Sequence, residues 1–180
     1  MNEVGDVRRL SHDEVPALRA LLARLPEGER RWFKEDVLDP AVAEAWATDT
    51  RDPHLLALDD GGRVVVYGAV RRGRGWSSHV GEMTLMVDPE MRRQGHGKAM
   101  ARLVLLEALK AGMTKVVVEL VADETAAIAM FGQLGFEPEA LLRGHVRDRD
   151  GRLRDLVVLG HPVEENWGVL AATGVEDAVT

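Results

Sequence analysis

From Val15 onward, apolar residues recur at three- and four-residue intervals: Val15, Leu18, Leu21, Leu22 and Leu25. That spacing lines one face of an α-helix. Ser11-His-Asp-Glu14, just ahead, has the form of a capping box, and Pro26 ends the run. A second helical zone covers residues 29–37 and, after Pro40, 41–47, and it carries Trp32, Phe33, Val37, Leu38 and Trp46. Residues 7–10 read as a short strand. His54–Leu58 and residues 63–71 read as strands joined by Asp59-Asp-Gly-Gly62, a hairpin signal. Arg72-Gly-Arg-Gly75 turns the chain into an alternating strand over 82–87, and residues 99–109 are too long and too rich in Leu and Ala for another strand. Lys115–Val121 is a β-branched run. Asp123 is placed to cap a helix whose Ala127, Ile128, Phe131 and Leu134 keep helical spacing until Gly135. Strands over 140–146 and 153–159 follow, joined by Asp148-Arg-Asp-Gly151. Residues 164–180, with Trp167, Val169 and Leu170, read as a short docked helix and a frayed tail. The order β-α-α-β-β-β-α-β-α-β-β is that of a mixed α/β layer protein with helices on both faces of one sheet, here a single domain over 4–163 with a tail over 164–180.

The most informative segment lies between the strand at 82–87 and the helix at 99–109. It reads Val87-Asp-Pro-Glu-Met-Arg-Arg-Gln-Gly-His-Gly-Lys98, with Arg92, Gly95 and Gly97 in an Arg-x-x-Gly-x-Gly spacing. A strand-to-helix turn leaves backbone N–H groups unpaired at the positive end of the helix dipole, and glycines let a ligand approach them. That combination binds phosphate. The nucleotide P-loop is excluded because Gly97-Lys98 is followed by Ala99 rather than Ser or Thr. The dinucleotide fingerprint is excluded because its third glycine is missing at Met100.

The loop resembles the acyl-CoA site of the GNAT superfamily of N-acetyltransferases, whose signature is Arg/Gln-x-x-Gly-x-Gly/Ala after a strand ending in Val-x-Pro, here Val87-Asp-Pro89. The stretch around Ala127, Gly135 and Phe136 resembles the family's second motif, with two departures. Glu124 stands where Asn is usual, and Phe131 stands where a tyrosine commonly protonates the leaving thiolate. The resemblance is close over residues 80–136. It implies a mixed, mostly antiparallel sheet with a central parallel strand pair and helices on both faces. It implies acetyl-CoA as co-substrate, without a metal, and direct acetyl transfer to a primary amine, with the oxyanion held by a backbone N–H of the central strand. The main chain of Leu85, Met86 and Val87 would then pair with the pantetheine arm. The N–H groups of Arg93, Gln94, Gly95, His96, Gly97 and Lys98 would hold the pyrophosphate, with charge from Arg92, Arg93 or Lys98. Thr125 and Phe131 would sit at the second motif. The missing tyrosine supports a different reading, a CoA-binding regulatory module without catalysis.

Only the free base of an amine attacks a thioester, so a general base is expected. Glu82 is the first candidate. It lies on the strand face opposite Met83, Leu85 and Val87, and a similar glutamate recurs in family members that acetylate protein amines. Glu119, in an otherwise apolar strand, is the second. His79 and His145 read as surface or hydrogen-bonded residues. Asp155, a carboxylate in an apolar strand, needs a partner: an acceptor amine, or Arg143 or Arg147 across the hairpin. Phe131 has no exchangeable proton, and the only tyrosine, Tyr67, falls in an earlier strand. Water or Thr125 is left to protonate the thiolate, a tolerable leaving group without help.

Composition narrows this reading. The chain of 180 residues has no cysteine, which removes disulfides, thiolate metal sites and a cysteine acyl-enzyme. Its net charge of −7 argues against nucleic acid as a main partner and suits a cationic acceptor, though an acidic surface also keeps a protein soluble. The basic clusters Arg71, Arg72, Arg74 and Arg147, Arg149, Arg152, Arg154 read as solvated hairpins. With no signal-like N-terminus and no membrane-length apolar run, the expectation is a cytoplasmic protein away from membranes, with room for a homodimer.

Overall fold

In the computed structural model, which describes residues 5–30, 32–148 and 150–163, the capping box forms as its residues dictate. The Ser11 N–H donates to Glu14 Oε2 at 3.0 Å and the Ser11 hydroxyl reaches the same oxygen at 2.5 Å. That hydroxyl bond holds the Glu14 carboxyl below the usual carboxylate range. One 3-10 turn later begins helix α1 (Val15–Arg24), followed by α2 (Glu27–Arg30), α3 (Pro40–Thr48), α4 (His96–Lys110) and α5 (Thr125–Gly132). The strands are β1 (Asp6–Arg9), β2 (His54–Leu58), β3 (Val64–Arg72), β4 (Val80–Val87), β5 (Lys115–Val121), β6 (Glu137–Arg147) and β7 (Leu153–Pro162). They form one seven-stranded mixed sheet in the order β1-β2-β3-β4-β5-β7-β6, in which β4 and β5 run parallel. The predicted segment 164–180 and Arg149 lie outside the described residues. No helix among the described residues is long and apolar enough to cross a membrane.

The chain divides into two compact units, Met1–Ala69 with Thr84–Ala101 and Val70–Met83 with Arg102–Thr180. In the first, the predicted face of α1 is buried. Leu18, Leu21 and Leu22 have no exposed surface, and they pack with Leu56, Leu58, Val64, Tyr67 and Met86. Asp39 caps α3 by accepting the Ala41 N–H at 2.9 Å, with Pro40 in the first turn where its missing N–H costs nothing. Trp46 of α3 stacks on Tyr67 with ring centroids 5.1 Å apart. The Tyr67 hydroxyl meets His54 Nδ1 at 2.6 Å, so the only tyrosine serves this core. The predicted helix over 29–37 is corrected to the single turn of α2. Residues beyond it are held by isolated turns, and Val37 is buried without belonging to a helix. The reason is local: Asp36 and Asp39 bind nearby backbone N–H groups, and Pro40 disfavours helix in the residue before it.

In the second unit, β5 pairs with β7 over seven residues, from Lys115↔Pro162 to Val121↔Leu156. Helix α5 forms around the predicted Ala127, Ile128 and Phe131, but its ends are corrected and Leu134 lies beyond it. Glu124 rather than Asp123 is the N-cap, because the Asp123 carboxylate is drawn to Arg154 at 3.0 Å. The helix stops at Gly132. The chain then folds back through Gly135, whose φ of 86° suits glycine, so that the Phe136 N–H reaches the Phe131 carbonyl at 3.1 Å. Asp155 pairs with neither predicted arginine. It accepts the Gly144 N–H at 2.8 Å, where a register shift between Leu142 and Val146 breaks the β6–β7 ladder. Two of the basic residues are structural ties. Arg72 donates to the Ser78 and Ala111 carbonyls, and Arg154 donates to the buried Asp148 as well as Asp123.

His161 of β7 is 1 % exposed, lies 5.0 Å from the Phe136 ring, and has a buried Nδ1 without a partner among the described residues. Burial lowers its pKa below the ordinary 6.5. The unfolded chain therefore binds a proton that the folded chain resists, and this contribution to stability is full above about pH 6.5 and falls as pH drops below it. In urea titrations near pH 7 and near pH 5, His161→Leu is expected to lose less stability on acidification than the wild type. Equal losses would rule His161 out as the source.

Candidate active site

The loop after β4 is built from its acidic end. Asp88 is fully buried; its N–H reaches the Val65 carbonyl at 2.8 Å and its carboxylate accepts the Glu90 N–H at 3.0 Å. A buried carboxylate needs a cation, and Arg24 of α1 supplies one at 2.6 Å while also donating to the Val64 carbonyl at 2.7 Å. Pro89 then starts a 3-10 turn through Met91, and Arg92 is extended. Arg93 takes a left-handed φ of 58° and Gly95 one of 90°. A left-handed non-glycine residue costs roughly 1 kcal/mol or more, and such strain gathers at functional sites. The first helical bond of α4 runs from the Ala99 N–H to the Gly95 carbonyl at 3.0 Å. The N–H groups of His96, Gly97 and Lys98 therefore lie ahead of the helical ladder. His96 adds a buried Nδ1 with no hydrogen-bond partner among the described residues. Arg92, Arg93, Gln94 and Gly95 are exposed, and His96, Gly97 and Lys98 half-buried.

Arg92 is already engaged. Its two terminal nitrogens meet the two carboxylate oxygens of Glu29 at 2.7 and 2.6 Å, and it also donates to the Val87 carbonyl at 3.3 Å. Sequence reasoning missed Glu29, Arg24 and the buried state of Asp88. Only Asp88, a carboxylate between a strand and a proline, carried a local signal.

The expected face of β4 needs correction. Gly81 and Met83 are buried as an alternating strand requires, but the next buried residue is Met86, so the alternation slips by one position and Leu85 and Val87 are only half-buried. Met86 belongs to the apolar cluster of the first unit, and that packing sets its phase. Glu82 is half-buried in the second unit and stands in parallel register with Val117. This register covers Val80↔Lys115, Gly81↔Val116 and Glu82↔Val117, the first three residues of each strand. Glu119 is exposed and lies two residues beyond Val117, on the same face of β5. The strand geometry places the Cα atoms of Glu82 and Glu119 about 8 Å apart. Gly81 lets β4 pack closely beside Glu82, because a Cβ there would overlap the side chains of Val70 and Met113 and force them to shift. Thr125 is the exposed first residue of α5, and Phe131 is 4 % exposed, packed edge-on against Phe136 with centroids 5.0 Å apart. Leu85, Met86, Val87 and the loop thus belong to the first unit, and Glu82, Thr125 and Phe131 to the second. His79 and His145 are exposed.

Residues 16–136 match the acetyltransferase (GNAT) family. The ribosomal protein bS18-alanine N-acetyltransferase of Escherichia coli (strain K12) is 33% identical over 79 residues, 44% of this chain and 53% of that protein. The chain thus spans about half the length of the curated relatives it matches. Among solved structures, a ribosomal-protein-alanine N-acetyltransferase from Brucella melitensis superposes with a TM-score of 0.76 at 22% identity, covering 87% of this chain and 99% of that one. A GNAT superfamily phosphinothricin acetyltransferase from Sinorhizobium meliloti, in complex with AcCoA, gives 0.73 at 20% identity, with 89% of each chain covered. Both likenesses concern the fold.

Proposed function

Because this chain belongs to the acetyltransferase (GNAT) family, we propose that it transfers an acetyl group from acetyl-CoA directly to a primary amine. One observation carries the reading: the left-handed turn at Arg93 and Gly95 that delivers the N–H groups of His96, Gly97 and Lys98 ahead of the α4 ladder. Those donors, the unpartnered His96 Nδ1 and the positive charge of Arg93 and Lys98 fit a diphosphate. Acetyl-CoA supplies an activated acetyl group on a good leaving thiol. Main-chain groups of Leu85, Met86 and Val87 would hold its pantetheine arm, and a β4 N–H would stabilise the negative charge that develops on the carbonyl oxygen.

Glu82 acts as the general base. An α-amine is largely protonated below its ordinary pKa of about 8, and Glu82, directly or through water, takes the proton before or as nitrogen attacks. Phe131 donates no proton, and Tyr67 is held by His54, so the thiolate leaves with a proton from water or Thr125. The α-amine of an alanine at a protein N-terminus is the first acceptor class to test, since the E. coli relative is named as an alanine N-acetyltransferase of a ribosomal protein, and that name supports the reading of a cytoplasmic activity. Each relative above carries an acetyltransferase name, and only Phe131 speaks for a binding module without catalysis.

The test is calorimetric titration with acetyl-CoA, then release of free CoA with a panel of peptides and small amines. A thiol reagent reads that release without background, because the protein has no cysteine. Binding followed by CoA release with at least one amine is expected. No binding, or binding with no turnover across the panel, would sink the proposal.

A further inference from the structure

Three charged residues at alternating positions in the acyl-CoA loop are each tied to a different element of the first unit. Asp88 is bound by Arg24 of α1, Glu90 by Arg63 of the β2–β3 hairpin at 3.2 Å, and Arg92 by Glu29 of α2 through a bidentate fork. The last tie involves the arginine of the signature itself. We propose that Arg92 is a positioning residue whose bond to Glu29 holds the loop in its binding conformation, so that Glu29, far away in sequence, sets acetyl-CoA affinity without touching it. This rests on the acyl-CoA reading above.

Arg93 persists in a left-handed conformation only if its flanks are over-determined. On its N-terminal side the flank is Arg92, whose guanidinium is fixed by Glu29 and, through Nε and one terminal nitrogen, by the Val87 carbonyl. Glu29 is itself anchored, since its N–H reaches the Pro26 carbonyl at 2.9 Å and its carbonyl accepts the Trp32 N–H at 3.0 Å. A planar guanidinium makes both parallel bonds and the carbonyl bond at once, which an ammonium on a flexible stem does not. Each side chain of the pair is 38% exposed, so the pair adds little to global stability. What it removes is the freedom of the loop to point its N–H groups elsewhere, a cost that binding would otherwise meet.

The experiment is a charge swap. Glu29→Arg, Arg92→Glu and the double variant are titrated with acetyl-CoA by calorimetry, alongside thermal unfolding and steady-state kinetics. Each single change is expected to weaken binding about tenfold, within the coupling range of contacting pairs, while Tm moves by only a few degrees. KM for acetyl-CoA should rise with kcat little changed, and the double variant should bind more tightly than either single, short of wild type because a carboxylate at position 92 cannot donate to the Val87 carbonyl. If Arg92 instead contacts the diphosphate, the double variant stays as weak as Arg92→Glu, because a carboxylate remains beside the phosphates. That result overturns the inference while leaving acetyl transfer intact. Tighter binding by Glu29→Gln also overturns it, since Glu29 would then be a competitor for Arg92. Should the swapped singles fold poorly, Glu29→Gln and Arg92→Lys are titrated in their place; each is expected to weaken binding with Tm nearly unchanged, and wild-type affinity in both overturns the inference. A wild type that binds no acetyl-CoA overturns both this inference and the proposed function.

Discussion

Gly97→Glu is expected to weaken acetyl-CoA binding roughly a hundredfold or more while leaving the fold intact. Gly97 is the second residue of α4, one of three whose N–H groups precede the first helical bond. A carboxylate about 4 Å from a phosphate charge costs ~4 kcal/mol at an effective dielectric near 20, and salt and side-chain movement reduce that only in part. The same substitution suits the helix, because an acidic residue in the first turn complements the dipole by about 0.3–1 kcal/mol. Lost binding should therefore accompany an unchanged or slightly raised Tm. Calorimetry decides it: wild-type affinity in Gly97→Glu would mean that the diphosphate does not lie on this loop.

Glu82→Gln is expected to lower kcat by roughly a hundredfold to ten-thousandfold, the range for removing a positioned general base, while acetyl-CoA affinity stays at the wild-type value. The isosteric amide keeps the packing around Gly81 and Val117 and removes only the ability to accept a proton. Glu119 provides the control. It lies on the same face of the parallel pair, about 8 Å away, and is more exposed. Glu119→Gln is expected to have the smaller effect, with its loss appearing mainly in KM for the amine. If Glu82→Gln turns over normally and Glu119→Gln collapses, the base is Glu119. Raising the pH so that more acceptor is already neutral should recover part of the loss in whichever variant lacks the base, and an activity loss indifferent to pH would point to misfolding or misplacement instead.

Much of this was legible in the chain because the signals are local. Ser11 and Glu14 are three residues apart and cap each other wherever the chain goes. The helical spacing from Val15 to Leu25 needs only one apolar surface to meet. The Arg-x-x-Gly-x-Gly turn between a strand and a helix was legible in the same way, since its left-handed step calls for a glycine at Gly95. Apart from the 29–37 helix, lost to local bonds of Asp36 and Asp39 and to Pro40, the errors share one cause: a partner distant in sequence outbid a local preference. Asp123 reads as a helix cap until Arg154 takes its carboxylate. Asp155 reads as a partner for arginine until the bulge at Gly144 presents an unpaired N–H. Leu85 and Val87 read as companions of Met83 until Met86 joins the cluster with α1 and shifts the alternation.

The sequence by itself determined the number of strands and their order along the chain, the face of α1, and the glycine-bearing turn between β4 and α4, because spacing, capping and backbone freedom act within a few residues. Tertiary structure decided which charges do which work. It buried Asp88 against Arg24, tied the signature arginine to Glu29, locked the only tyrosine to His54, and set Glu82 and Glu119 on one face of a parallel strand pair. Ion pairs and strand registers depend on residues brought together from distant parts of the chain, and nothing in the spacing of one segment specifies its partner in another.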